Sequence, residues 1–333
     1  MRRRVLAFSI LALTLPFFAA LGDPLGQVNQ IVAFGDSLTD TGNASIATLG
    51  AQPGAGYAYR TVPVLPFQVG EFTSPAAPGG PSGLWIDQFA AQAGLSDPQP
   101  ALAPGGGTNY AVGGALTGSN GIGYVSDQLA IYLAGKTSVP STSLYSFWAG
   151  ANDIVAGNNP ITAADNLEAN ISTVAADGGK YFLWFNLPLL GQTPRGQASG
   201  ESAALNAASA AFDTEWAKDI QNLDKTDPGI VLVGVDIETL FNNIVQDPSK
   251  YGITNTGSEP QGAALNGYLF SFDGLHPTSY ADQFIADLAL ADFEAATTPV
   301  GSTVPEPTSS ALALLGFSGL LVLVQKLKAK DRC

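Results

Sequence analysis

The chain has 333 residues, 46% of them hydrophobic, enough for one substantial domain with appendages. Its 28 acidic against 14 basic residues give a formal charge of −14, which argues against nucleic acid and anionic membrane surfaces as electrostatic partners. One histidine and one cysteine, Cys333, are too few for a zinc or iron site or an internal disulfide; no cofactor is expected, and no calcium-loop signature accompanies the carboxylates.

At the start of the chain, Arg2, Arg3 and Arg4 precede an apolar run from Val5 to Ala20, and the small residues Ala20 and Gly22 stand before Asp23. This is the layout of a secretory signal peptide over 1–22; the run carries Pro16 and is short for a membrane span. A strand is predicted over Val28–Phe34, running into FGDSLTDTGN (34–43). Ser37 then lies just past a strand and before a helix start, where backbone N–H groups are unpaired and partly positive. Taken alone, the stretch reads either as a polar helix cap or as a nucleophile loop.

Residues 50–83 are rich in Gly and Pro and break the periodicity, which suits a long surface excursion, either a binding loop or lid or a disordered insertion. Its aromatics Tyr57, Tyr59, Phe67 and Phe72 fit either an acyl chain or attachment of the loop to the core. A helix follows in GLWIDQFAAQAGL (83–95). In TNYAVGGALT, Gly113 or Gly114 can present a bare N–H to an oxyanion, or simply form a turn. The predicted strand Leu144–Trp148 leads into FWAGANDI, where Asn152 offers a side-chain amide or a helix cap.

A helix over 161–179 begins at a capping-type Thr162 and Asp165 pair, sets Leu167, Ile171 and Val174 on one face and stops at Gly178 and Gly179. Strands over Tyr181–Asn186 and Ile230–Asp236 flank a second amphipathic helix, Glu201–Leu223, and a third runs from Ser279 to Phe293. This alternation predicts an α/β fold, a three-layer α/β/α sandwich with a mostly parallel central sheet.

The segment FDGLHPTSYADQF places Asp273 three residues before His276. A serine nucleophile needs a base, and the base needs a carboxylate to fix its tautomer; with a single histidine in the chain, such chemistry must use His276. The Gly-x-Ser-x-Gly elbow of α/β-hydrolases does not occur.

Four ordered blocks, FGDSLTDTGN, NYAVGGA, FWAGANDI and DGLHPT, resemble those of the GDSL or SGNH hydrolases over nearly all of 28–293. FNLPLLGQTP and FNNIVQDPSKYGITN resemble connecting segments of the branch holding lipolytic esterases and lecithinase-like acyltransferases. The resemblance implies a flavodoxin-like SGNH fold, Ser37 as nucleophile, His276 as base and acid, and Asp273 as its orienter. It also implies an oxyanion hole of the Ser37 N–H, the Asn152 amide and a glycine N–H, with the spacing from Asn109 selecting Gly114 and leaving Gly113 as the alternate. Asp36, Asp40 and Asn43 match the first block and are read as fixing the loop. No metal enters this scheme, and the residues that bind substrate are not assigned.

The chain ends in VPEPTSSALALLGFSGLLVLVQKLKAKDRC, a Pro-flanked polar segment, an apolar stretch from Ala311 to Val324 and a tail with Lys326, Lys328, Lys330 and Arg332. It resembles the PEP-CTERM sorting signal of Gram-negative bacteria. That resemblance implies export, transient membrane association through the tail, and cleavage near Pro305-Glu306-Pro307 by a dedicated processing protease. Without leader and basic tail the net charge is near −20. The expected organisation is a leader over 1–22, a hydrolase domain over 23–297, a linker over 298–310 and a sorting segment over 304–333. The expected activity is that of a secreted carboxylic ester hydrolase; the alternatives are an exopolysaccharide acetylesterase and a non-catalytic surface or matrix binding protein.

Overall fold

The computed structural model describes residues 25–62, 65–121 and 123–298. The leader over 1–22 and the sorting segment over 304–333 lie outside the described residues; among those described, no helix is long and apolar enough to cross a membrane.

The chain opens with β1 (Gln30–Gly35) and the short α1 (Asn43–Ala47). A hairpin of β2 (Ala58–Arg60) and β3 (Val69–Glu71) precedes α2 (Trp85–Gln92) and α3 (Val125–Leu133). Strand and helix then alternate through β4 (Ser143–Trp148), α4 (Ala151–Val155), α5 (Pro160–Ala176), β5 (Tyr181–Phe185), α6 (Pro194–Ala198), α7 (Ser202–Thr226), β6 (Val231–Val235) and α8 (Ile237–Gln246). A short pair, β7 (Asn255–Ser258) and β8 (Tyr268–Phe270), leads into α9 (Ser279–Thr297).

The central sheet runs β1-β4-β5-β6, all parallel. Outside β1, residues 108–112 extend it: the Ala33 N–H donates to the Thr108 carbonyl, and the Tyr110 and Val112 N–H groups donate to the carbonyls of Ala33 and Gly35. Counted with this segment, the order is second-first-third-fourth-fifth, the flavodoxin-like arrangement in which ligands gather beyond the carboxyl ends of the first and third strands.

Strands buried on both faces have to be apolar throughout, and SLYSFW and YFLWF are entirely buried. The register puts Phe34, Phe147 and Trp184 in one row on one face. Tyr132 of α3 meets Phe34 at 5.6 Å between ring centroids and Trp216 of α7 meets Trp184 at 6.5 Å; α5 lies between these two helices. On the opposite face Trp85 of α2 packs at 4.5 Å from Phe185, which stacks on Trp148 at 4.8 Å, and α2 lies against α9. This is the three-layer α/β/α sandwich with a parallel sheet that the alternation predicts. Removing a fully buried ring such as Trp85 from it costs about 3–5 kcal/mol.

Two details differ from the sequence reading. The cap of α5 is Asn159, whose side-chain Oδ1 accepts from the N–H groups of Ile161 and Thr162; Pro160 fills the first turn, so the Thr162 and Asp165 pair lies inside the helix. The 50–83 stretch is not simply a surface excursion, because it contains the β2–β3 hairpin and buries Val62, Val69, Glu71, Phe72, Thr73 and Ser74. Its anchor is Arg60, whose guanidinium reaches Glu71 at 3.0 Å and Asp87 of α2 at 3.1 Å and also pairs with Asp97. A charged anchor of this kind leaves no apolar periodicity to read.

Several buried acids have raised pKa values. Burial pushes Glu71 up to about 7 against the pull of Arg60, and pushes Asp213 up to about 8. A carboxyl raised in the folded state holds its proton longer than in the unfolded chain, so its contribution is full below about pH 4 and is lost as pH rises through the folded values. The melting temperature is therefore expected to fall from pH 5 to pH 8.5. Differential scanning calorimetry across that interval checks this, and a flat or rising profile contradicts it.

Candidate active site

The loop after β1 is organised by two buried carboxylates. Asp36 Oδ1 accepts the Leu38 N–H at 3.0 Å, and the Asp36 carbonyl accepts from Thr39 and Asp40. Asp40 accepts four backbone N–H groups: Gly42 at 2.8 Å and Asn43 at 2.5 Å on Oδ1, Ala44 at 2.9 Å and Gly113 at 2.8 Å on Oδ2. The Asn43 amide donates to the carbonyls of Asn109 and Ala111, and Asn109 donates to that of Thr39. The first and second blocks are thus tied into one unit. Its turn leaves the Ser37 N–H without a hydrogen-bond partner among the described residues.

The two glycines have different environments. A Cβ on Gly113 would lie 2.4 Å from the Phe72 ring, and the Gly113 N–H is held by Asp40. Gly114 has φ +81, open space where a Cβ would stand, and an N–H with no partner among the described residues. Both glycines line the cleft that contains Ser37, but only Gly114 has a donor to spare.

After β4 the chain turns sharply at Gly150, where a Cβ would meet the Phe212 ring at 2.5 Å, and α4 begins. Asn152 in its first turn faces the same cleft. Its amide nitrogen donates to Asp36 Oδ2 at 3.2 Å and to the Ala115 carbonyl at 3.1 Å, so both amide hydrogens have acceptors.

Beyond β8 the chain makes a tight turn, with the Gly274 N–H donating to the Ser271 carbonyl and the Ser271 N–H to that of His276. Asp273 Oδ1 accepts the N–H groups of Leu275 and His276 at 3.0 and 3.1 Å. Its Oδ2 accepts His276 Nδ1–H at 2.5 Å and the Tyr57 hydroxyl at 2.7 Å. A carboxylate on Nδ1 fixes the tautomer and leaves the Nε2 lone pair facing Ser37 Oγ, 2.7 Å away. Burial alone would raise the Asp273 carboxyl, but the His276 ring, the Leu275 N–H and Tyr57 outweigh it and hold Asp273 well below the usual range. Burial pushes Asp36 up to about 7, against the pull of the Leu38 N–H and of His276.

The cleft above these groups encloses about 280 Å³. Its far wall comes from α6 and the start of α7, with Leu190, Thr193, Arg195 and Leu205 among its residues. A narrow crevice beside Ser37, lined by Leu38, Trp148, Leu190, Phe241 and Phe270, continues inward. FNLPLLGQTP supplies Leu190 and Thr193 to the cleft, a role its sequence does not signal, and no local pattern places Tyr57 on Asp273. The aromatic content of the excursion was the one signal there. Among the described residues, Asp165, Glu215 and Asp219 bring carboxylate oxygens within 4.8 Å of one another, but Lys218 already pairs with Glu215 and none of them lines the cleft.

Residues 31–289 match the family model for GDSL-like lipase/acylhydrolase. The chain belongs to this family. The members that this family model describes are GDSL-like lipases and acylhydrolases. A Pseudomonas putida relative, an uncharacterized protein in the trpE-trpG intergenic region, is 26% identical over 86% of this chain and 52% of its own length. The phosphatidylcholine-sterol acyltransferase of Aeromonas hydrophila is 28% identical over 68% of this chain and 64% of its own. The chain thus spans about half to two thirds of these curated relatives. Among solved structures, a carbohydrate acetylesterase family member from Sinorhizobium meliloti is similar at a TM-score of 0.45 and 12% identity, covering 82% of this chain and 100% of its own. A putative arylesterase from Agrobacterium tumefaciens is similar at 0.43 and 17%, covering 79% and 97%.

The glycine pair separates by substitution. Gly113→Ala drives a methyl into Phe72 and is expected to lower the melting temperature by several degrees. Gly114→Ala meets no atom and is expected to lose only about 1 kcal/mol to its positive φ. Thermal melts of both variants check the order.

Proposed function

We propose that this GDSL-like hydrolase cleaves carboxylic esters through a covalent acyl-enzyme on Ser37, with His276 and Asp273 completing a catalytic triad. The observation that carries this reading is the continuous line from Asp273 through His276 to Ser37 Oγ, with the Ser37 and Gly114 N–H groups, unpaired among the described residues, at the same cleft.

Ser37 Oγ attacks the ester carbonyl as its proton passes to His276 Nε2, and Asp273 stabilises the imidazolium that forms. The tetrahedral oxyanion is taken up by the N–H groups of Ser37 and Gly114. Asn152 joins as third donor by exchanging one of its present acceptors, Ala115 or Asp36, for the oxyanion. Collapse breaks the bond to the alcohol oxygen, which leaves with the proton from Nε2. Water then attacks the acyl carbon and gives a proton to Nε2, and the acid departs as that proton passes from Nε2 to Ser37 Oγ.

Acyl lipids or other acylated small molecules are the substrate class that the apolar walls and the likeness to the Aeromonas acyltransferase favour. Acetylated polysaccharide is the second reading, favoured by the narrowness of the crevice beside Ser37. Export, surface retention and processing near Pro305-Glu306-Pro307 belong to the same proposal and are supported by the sequence alone; intact mass of the protein recovered from its native host tests them.

Ser37→Ala is expected to abolish p-nitrophenyl ester cleavage and labelling by a fluorophosphonate. Asn152→Ala is expected to retain activity slowed by about 10²–10³-fold. Full activity in folded Ser37→Ala protein, or an unlabelled wild type, removes the proposal. A p-nitrophenyl series from acetate to palmitate, run beside an acetylated polysaccharide, separates the two substrate readings.

A further inference from the structure

Every group needed for the triad lies in the four sequence blocks, yet Asp273 Oδ2 has two donors, and the second comes from outside them. Tyr57 belongs to the 50–83 segment, 216 residues away in sequence. We propose that Tyr57 is a positioning residue of the triad, whose hydroxyl shares Asp273 Oδ2 with the imidazole and so sets both the orientation of the carboxylate and its pull on His276. This inference rests on the triad reading above.

Three observations support it. The hydroxyl of Tyr57 is its one side-chain polar atom, and the ring is boxed in by Phe272 at 4.8 Å and Phe72 at 5.8 Å, with His276 at 6.1 Å. Phe72 itself lies 5.3 Å from the His276 ring, so the segment contacts both partners of the Asp273–His276 hydrogen bond. The segment is held from below by Arg60, three residues on, in its clamp of Glu71, Asp87 and Asp97. Burial and the neighbouring Asp273 hold the phenol above its ordinary range, so it stays a neutral donor wherever the enzyme works.

A neutral donor on Oδ2 draws off part of the negative charge that stabilises the imidazolium without cancelling it. Losing that donor leaves the imidazolium favoured to higher pH and frees the carboxylate to turn. Asp36 on the nucleophile loop and Arg195 near Tyr57 are the other charges acting on this cluster, and neither is altered by the substitution.

The single histidine makes the test direct, since any imidazole NMR signal of the chain is that of His276. In full-length protein labelled at histidine, Tyr57→Phe is expected to move the titration midpoint up by about half a pH unit or more, against wild type. Its plateau kcat should fall about tenfold with KM within about twofold. 3-Fluorotyrosine at position 57, a stronger donor of nearly the same shape, should move the midpoint down; it also serves if Tyr57→Phe folds poorly. An unmoved midpoint in both proteins, or a loss confined to KM, overturns the inference. Fluorophosphonate labelling of the wild type keeps the two levels apart: a reactive Ser37 with an unmoved midpoint removes the role of Tyr57 alone, whereas an unreactive Ser37 removes the triad reading beneath it.

Discussion

The Asp40 carboxylate is the fixed point of this molecule. Burying a carboxyl costs several kcal/mol unless its oxygens are satisfied, and here four backbone N–H groups satisfy them. Three of those groups belong to the start of α1, and the fourth, Gly113, lies 73 residues on. One side chain therefore starts the helix after the nucleophile loop and sets the height of the glycine loop beside it. The placement of Ser37 and Gly114 along one cleft follows from that single junction. Burial leaves the Asp40 carboxyl raised to about 6 even so, a measure of how completely water is excluded there.

The sheet supplies the rest of the frame. Gln128 of α3 closes the end of β1 by pairing its amide with both the N–H and the carbonyl of Gly35, at 2.9 and 2.8 Å. A side chain at Gly35 would lie 2.3 Å from the Trp148 carbonyl, so only glycine lets β1 and β4 run side by side to the point where Ser37 and Asn152 emerge. The site sits where the strand order reverses, because the chain leaves β1 toward one neighbour and returns on the other side.

Much of this was legible in the sequence, and the reason is physical. Strands buried on both faces must be uninterrupted apolar runs, so the four sheet strands lie within two residues of their predicted bounds. Ser37 and Asn152 each follow a predicted strand, Gly114 and Asp273 stand in blocks of the family resemblance, His276 is the single histidine, and the structure brings all five to one cleft or its edge. What stayed hidden depends on contacts between segments distant in sequence. Arg60 and Glu71 sit in a stretch whose glycines and prolines suggest a loop, and nothing in the local pattern shows that three acids converge on one guanidinium. Tyr57 meets Asp273 only after the whole chain has folded. The Asn159 cap differs for another reason: Pro160, which has no N–H to satisfy, fills the first helical position, so the helix starts one residue before 161 and its cap lies three residues before Thr162.

The unequal readiness of the three donors proposed for the oxyanion follows from how each is built. The N–H groups of Ser37 and Gly114 are backbone, fixed by Asp36 and Asp40, and have no partners among the described residues, so their use costs no reorganisation. Asn152 is a half-buried side chain at the edge of the cleft, and the fold gives both its amide hydrogens acceptors, Asp36 and Ala115. Both bonds, at 3.2 and 3.1 Å, are at the long end of the normal range. Exchanging one of them for a fully charged oxyanion replaces a weak acceptor geometry with a charge-assisted one. The same arrangement that keeps Asn152 satisfied at rest therefore leaves it able to change partners, and its donation strengthens as negative charge develops on the substrate.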